Sequence, residues 1–113
     1  MERPDGGPSF ECRVVLVDDA ARVLPIGEVD LDTVRAVAER LEGVRAAGAR
    51  EVVLDLRATT FVDSSVMHLA LAWQERARRE RFEFALAGAD GPARRAIEAA
   101  GLGPALGLAR AAG

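Results

Sequence analysis

A chain of 113 residues fits one domain with one sizeable core, and its composition, 50% hydrophobic and 29% charged, is that of a folded globular protein. A net charge of −3 with both signs interspersed argues against a nucleic-acid-binding protein, which would carry a basic stripe. One cysteine, Cys12, excludes an intrachain disulfide, and a single histidine with no ligand-spaced neighbours leaves metal chemistry unsupported.

Every basic residue is arginine and alanine is abundant, which reads as a bias of the source genome. No apolar run approaches the ~20 residues of a membrane span. The opening MERPDGGPSF has no apolar core of the kind a secretory signal needs. A cytoplasmic protein is expected, with no membrane or nucleic-acid partner and no cofactor.

Residues 1–8, rich in Gly, Pro and charge, read as a flexible tail ahead of one domain spanning 9–113. Phe10, Cys12, Val14 and Leu16 recur at period two, the pattern of a strand. Asp18-Asp19-Ala20 reads as a turn and Arg22–Ile26 as a second strand, so the pair predicts a hairpin. Pro25 lacks a backbone donor and suits an edge or a strand end. Gly27-Glu28-Val29-Asp30 reads as a loop, with Asp30 or Asp32 placed to cap the next helix. Leu31, Val34, Val37, Ala38, Leu41 and Val44 then form one helical stripe that should end at Gly48.

Glu51–Leu56 is almost continuously apolar, as in an interior strand. A polar turn follows and ends in Asp63-Ser64-Ser65. From Ser64 to about Arg79 the spacing of Val66, Leu69, Ala70, Trp73 and Ala77 predicts a second helix. Phe82–Leu86 reads as a third covered strand. Pro92 suits the first turn of a third helix, which Gly101 closes as Leu102 packs back on Ile97. The remainder, Gly103–Gly113, has room for one more helical turn and a short edge strand. The order β-β-α-β-α-β-α predicts an α/β fold: a mixed sheet of four to five strands packed with three to four helices.

The chemistry concentrates at Asp63-Ser64-Ser65. Two hydroxyls at a helix N-terminus sit where backbone N–H groups and the helix dipole favour an anion. Asp and Ser are also ordinary capping residues, so the motif alone does not distinguish a cap from a phosphate site.

Its surroundings carry a resemblance. Gly27-Glu28-Val29-Asp30 is similar to the G-E-[LV]-D element of STAS domains, the fold of bacterial anti-sigma factor antagonists. Val52–Leu56 followed by Thr60-Phe61-Val62-Asp63-Ser64-Ser65 resembles that family's strand, loop and D-S-S signature. Ala100-Gly101-Leu102 resembles the A-G-L that closes its third helix. Together these span roughly Phe10 to Leu108.

The resemblance implies a STAS-like sheet and a binding module, not an enzyme. It implies phosphorylation of the serine after the aspartate, here Ser64, by an anti-sigma factor that is also a serine kinase, with Ser65 as second choice. The unmodified antagonist would bind that kinase and free the sigma factor; phosphorylation would release it, and a cognate phosphatase would reset it. Glu28, Asp30, Asp63, Ser64, Ser65 and Met67 are the expected partner-contact residues, with Asp63 both capping the helix and orienting Ser64. The family commonly has glycine after the second serine; this chain has Val66, which either joins the core or alters which partner docks. A non-switching STAS subunit of a lipid-transport ABC system, or a ligand-sensing STAS module, is the alternative reading.

Other polar residues suggest less. Thr59 and Thr60 shape the turn or serve as secondary phosphosites, and His68 has no Ser-His-Asp ordering around it. Arg76, Arg78, Arg79 and Arg81 form a basic patch suited to a helix C-terminus. There is no phosphate-binding loop and no nucleophile with an evident base. A monomer or weak homodimer is expected.

Overall fold

A computed structural model gives the fold and describes residues 10–104. The expected tail at 1–8, and most of the expected extra turn and edge strand, lie outside these residues.

The period-two alternation forms the predicted hairpin. Strand β1 (Glu11–Val17) pairs antiparallel with β2 (Ala20–Val29), from Glu11↔Ile26 to Val17↔Ala20. Its two-residue turn needs a left-handed backbone, which Asp18 supplies at φ 56. Helix α1 (Val34–Ala46) then returns the chain so that β3 (Glu51–Asp55) runs parallel beside the start of β2. After β4 (Thr59–Val62) come α2 (Ser64–Glu80), β5 (Glu83–Ala87) and α3 (Gly91–Ala99). The sheet order is β1-β2-β3-β5, with β4 added alongside the far end of β2.

Two expectations are corrected by one feature. The Gly27-Glu28-Val29 segment is strand, not loop, and the polar turn after β3 contains a strand of its own. The two pair in parallel, Gly27↔Thr59, Glu28↔Phe61 and Val29↔Val62. Each segment satisfies the other's backbone groups, which is why neither stays a loop. Thus β2 uses two partners in succession, β3 along Ala20–Val23 and β4 along Gly27–Val29. Pro25 falls in the gap between these pairings, so a proline is tolerated inside a central strand.

The core lies where α1 and α2 cover one face of the sheet. Val37, Leu41 and Val44 of α1 and Val66, Ala70, Trp73 and Ala77 of α2 join Val23, Val52, Leu54 and Leu86 in one buried cluster. Trp73 meets the Phe82 ring edge-on at 5.9 Å. Helix α3 packs on β4 and buries Ala93 and Ile97. Leu102 N–H donates to Ile97 at 3.1 Å, closing α3 as the glycine at Gly101 predicts. Strand β5 is covered on one face only: Leu86 is buried while Glu83 and Ala85 are exposed. Leu31 also departs from its expected stripe. It precedes α1 and is 78% exposed.

At the end of β3, Asp55 is fully buried, and its carboxylate is paired with Arg57 at 2.9 Å and with Arg22. It also accepts the Arg57 backbone N–H at 3.0 Å. Gly88 presses against this cluster at φ +65; a Cβ there would overlap the carboxylate and stand 2.8 Å from the Arg57 nitrogen. Gly88→Ala therefore combines overpacking with left-handed strain and is expected to cost about 2 kcal/mol. A urea titration reads this as a lowered midpoint with unchanged slope.

Candidate functional site: the amino-terminal turn of α2

The β2–β4 pairing builds the site. It lays the end of β4 beside Val29, and the Asp63 N–H donates to the Val29 carbonyl at 3.3 Å. The acidic segment 28–30 and the start of α2 thus share one sheet edge. Asp30 is held as expected of a cap: its Oδ1 accepts the backbone N–H groups of Asp32 at 2.9 Å and Thr33 at 3.2 Å. The formal cap position of α1 is Thr33, so Asp30 acts one turn earlier, fixing the loop that leads into the helix.

Asp63 caps α2 in the usual extended conformation, accepting the Ser65 N–H at 2.8 Å. The same oxygen accepts the Ser65 hydroxyl. This corrects one expectation: Asp63 orients Ser65, not Ser64. The two serines are thereby differentiated. Ser65 is half-buried with its hydroxyl engaged, whereas Ser64 is exposed and its hydroxyl is engaged by no described residue.

The Ser65 hydroxyl bond holds the Asp63 carboxyl below the usual range; burial opposes it, and the backbone N–H groups of Ser65 and Leu31 add to it. Burial likewise pushes the Asp55 carboxyl up, but Arg57 and Arg22 outweigh it and leave it lowered. A carboxylate with a depressed folded-state pKa stabilises the fold above its unfolded value of about 3.9, and that stability is lost as pH falls through the folded value. These two groups should therefore leave stability flat from pH 8 to 5 and erode it below about pH 4. Urea midpoints across that range check this; a midpoint rising toward acid would contradict it.

One other expected partner-contact residue is placed differently. Met67 is 7% exposed and belongs to the core, where it joins Val66 and Ala70 at the edge of the buried stripe of α2. Val66, in place of the family's glycine, is also buried, so its branched side chain fills the core and adds nothing to the surface. His68 is exposed one turn beyond Ser64. Two of the four arginines of the basic patch are paired with carboxylates: Arg76 with Glu42 at 2.7 Å and Glu80 at 3.1 Å, and Arg78 with Glu75.

Sequence reasoning missed two residues beside the turn, Leu31 and Phe61, the latter 47% exposed. Leu31 was concealed by its fit to the helical stripe; Phe61 lay in the unrecognised strand. The β-branched run Thr59-Thr60 ahead of Phe61-Val62 was the signal for that strand. The site is a protruding turn rather than a cavity. A surface groove of about 640 Å³ lies between the far end of α2 and β5, lined by Leu71, Gln74, Arg78 and Phe84. Among the described residues there is no cluster of three or more metal-ligating side chains, and no helix long and apolar enough to cross a membrane.

No curated protein matches significantly. A solved anti-sigma factor antagonist from Mycobacterium paratuberculosis is similar to this chain at 29% identity and a TM-score of 0.76, covering 98% of this chain and 92% of that one. A family model described as "Mlab, STAS domain" matches residues 12–108, the hairpin, the Asp63-Ser64-Ser65 turn and all three helices included, and the chain belongs to the STAS domain family.

Proposed function

We propose that this protein is an anti-sigma factor antagonist acting by partner switching, with Ser64 as the phosphoacceptor. The unmodified form binds an anti-sigma factor serine kinase and so frees the sigma factor; phosphorylated Ser64 breaks that complex. The observation that carries the reading is the different fate of two adjacent hydroxyls: Ser65 is held by Asp63, and Ser64 stands exposed at the first position of α2. Similarity to the mycobacterial antagonist supports the partner class.

The electrostatics favour a switch without refolding. A phosphate adds about −1.5 to −2 charges. The α2 N-terminus stabilises it by roughly 0.3–1 kcal/mol, so the free phosphoprotein keeps its fold. In a complex the same phosphate must lose water among Asp63, Glu28 and Asp30, where like charge opposes it. A phosphatase would restore the binding form.

The reading is tested by titrating the unmodified and the kinase-treated protein against the cognate anti-sigma factor in a calorimeter. Tight binding of the first and loss of binding by the second is the expected result. A non-switching subunit docking through the same turn would bind equally in both states, and that result would replace this reading.

A further inference from the structure

We infer that Leu31 and Phe61 are the apolar anchors of the partner-binding face, and that they enter an apolar pocket with a basic rim on the anti-sigma factor. The inference rests on the function proposed above and names what that partner's surface must supply.

Three observations place the two residues close to the turn that carries the switch serine. Leu31 is 78% exposed and Phe61 47%, large apolar groups left in water at the edge of a well-packed core. Leu31 lies near the turn: its backbone N–H helps hold down the pKa of the Asp63 carboxylate that caps α2, and the Asp63 N–H donates to the Val29 carbonyl two residues before it. Phe61 lies two strand residues before Asp63, about 7 Å along the chain, and opposite Glu28 across the β2–β4 ladder. Both are thus held by ordered backbone rather than by a loose loop, which lowers the entropy lost on docking.

Charge identifies the occupant. Across residues 27–33 and 59–65 the ionisable side chains are Glu28, Asp30, Asp32 and Asp63, and none is basic. The neighbouring Arg57 is committed to Asp55. An apolar pair ringed by carboxylates fits a pocket ringed by Lys or Arg; a second copy of this same face would meet acid with acid. The arrangement also explains how a phosphate on Ser64 acts at the centre of the contact and not at its rim. It would add charge to the turn that lies beside both Leu31 and Phe61.

The test is a calorimetric titration of purified anti-sigma factor kinase with wild type, Leu31→Ala, Phe61→Ala, Asp32→Arg and, as a control, Val17→Ala. Val17 is a comparably exposed apolar residue on β1, away from the turn. Truncating a buried apolar anchor typically weakens an interface about ten- to a hundred-fold, and that loss is expected for Leu31→Ala and Phe61→Ala. Asp32→Arg should weaken binding most at low salt, and Val17→Ala should bind as wild type. Thermal midpoints of Leu31→Ala and Asp32→Arg should stay near wild type, since both side chains are exposed. Wild-type binding with unaffected Leu31→Ala and Phe61→Ala overturns this inference alone; absence of wild-type binding overturns it together with the function on which it rests.

Discussion

Ser64→Glu is expected to weaken binding to the anti-sigma factor by at least about thirty-fold, and phosphorylation of Ser64 by up to several thousand-fold, while Ser64→Ala binds as wild type. The range follows from the cost of breaking charge complementarity in a desolvated interface, about 2–5 kcal/mol, at about 1.4 kcal/mol per decade of affinity. Glutamate belongs at the low end because it brings one charge where phosphate brings nearly two. Alanine is neutral because Ser64 makes no hydrogen bond that shapes the turn; the cap is Asp63 on Ser65. Ser65→Ala removes a hydroxyl that Asp63 already holds, so it should leave phosphorylation at Ser64 intact. Calorimetric titration of the three variants decides it. Equal affinity of the alanine and glutamate forms would remove the electrostatic basis of the switch.

Asp55→Ala is expected to destabilise the fold by about 3 kcal/mol, the lower end of the range for breaking a buried ion pair. Asp55 is wholly buried and binds two guanidinium groups and a backbone N–H, so its loss leaves several donors without an acceptor. The cost stops near the low end because Arg22 and Arg57 are partly exposed and can turn to water. For a domain of this size, about 3 kcal/mol lowers the thermal midpoint by roughly 10–20 °C. Asp55→Ala should also flatten the loss of stability below pH 4, since it removes a buried carboxylate whose pKa is held down in the fold. Scanning calorimetry at pH 7, with urea midpoints at pH 7 and 3, measures both effects. A midpoint within about 3 °C of wild type would show that the cluster is incidental to stability.

The fold was legible wherever periodicity reports burial. The hairpin and the first two helices follow from apolar residues recurring at two or at three and four, the interior strand at Glu51–Asp55 from a continuous apolar run, and the third helix from Pro92 and Gly101 at its ends. The β2–β4 pairing was not legible, because each segment is short and becomes a strand only by finding the other. A pairing between residues some thirty positions apart is a tertiary event that no local window contains. The same reason hid the exposure of Leu31 and Phe61. Leu31 fits the helical stripe by spacing, yet the helix starts only at Val34, after the turn that Asp30 fixes, and leaves it outside. Met67 erred the other way: three positions from both Ser64 and Ala70, it stands about 60° around the helix from each, at the boundary of the buried stripe, and packs on the Ala70 side of it. The capping role of Asp63 was readable from composition. Which serine it holds was not, since both lie within reach in sequence and only the backbone geometry selects Ser65.

The account turns on one oxygen atom. Incubating the protein with its cognate kinase and ATP, then mapping the product by mass spectrometry, tests that most directly. A single phosphate on Ser64 is expected, still added to Ser65→Ala and absent from Ser64→Ala. A phosphate found on Ser65 or Thr60 instead, or an unmodified Ser64 after full turnover, would contradict it.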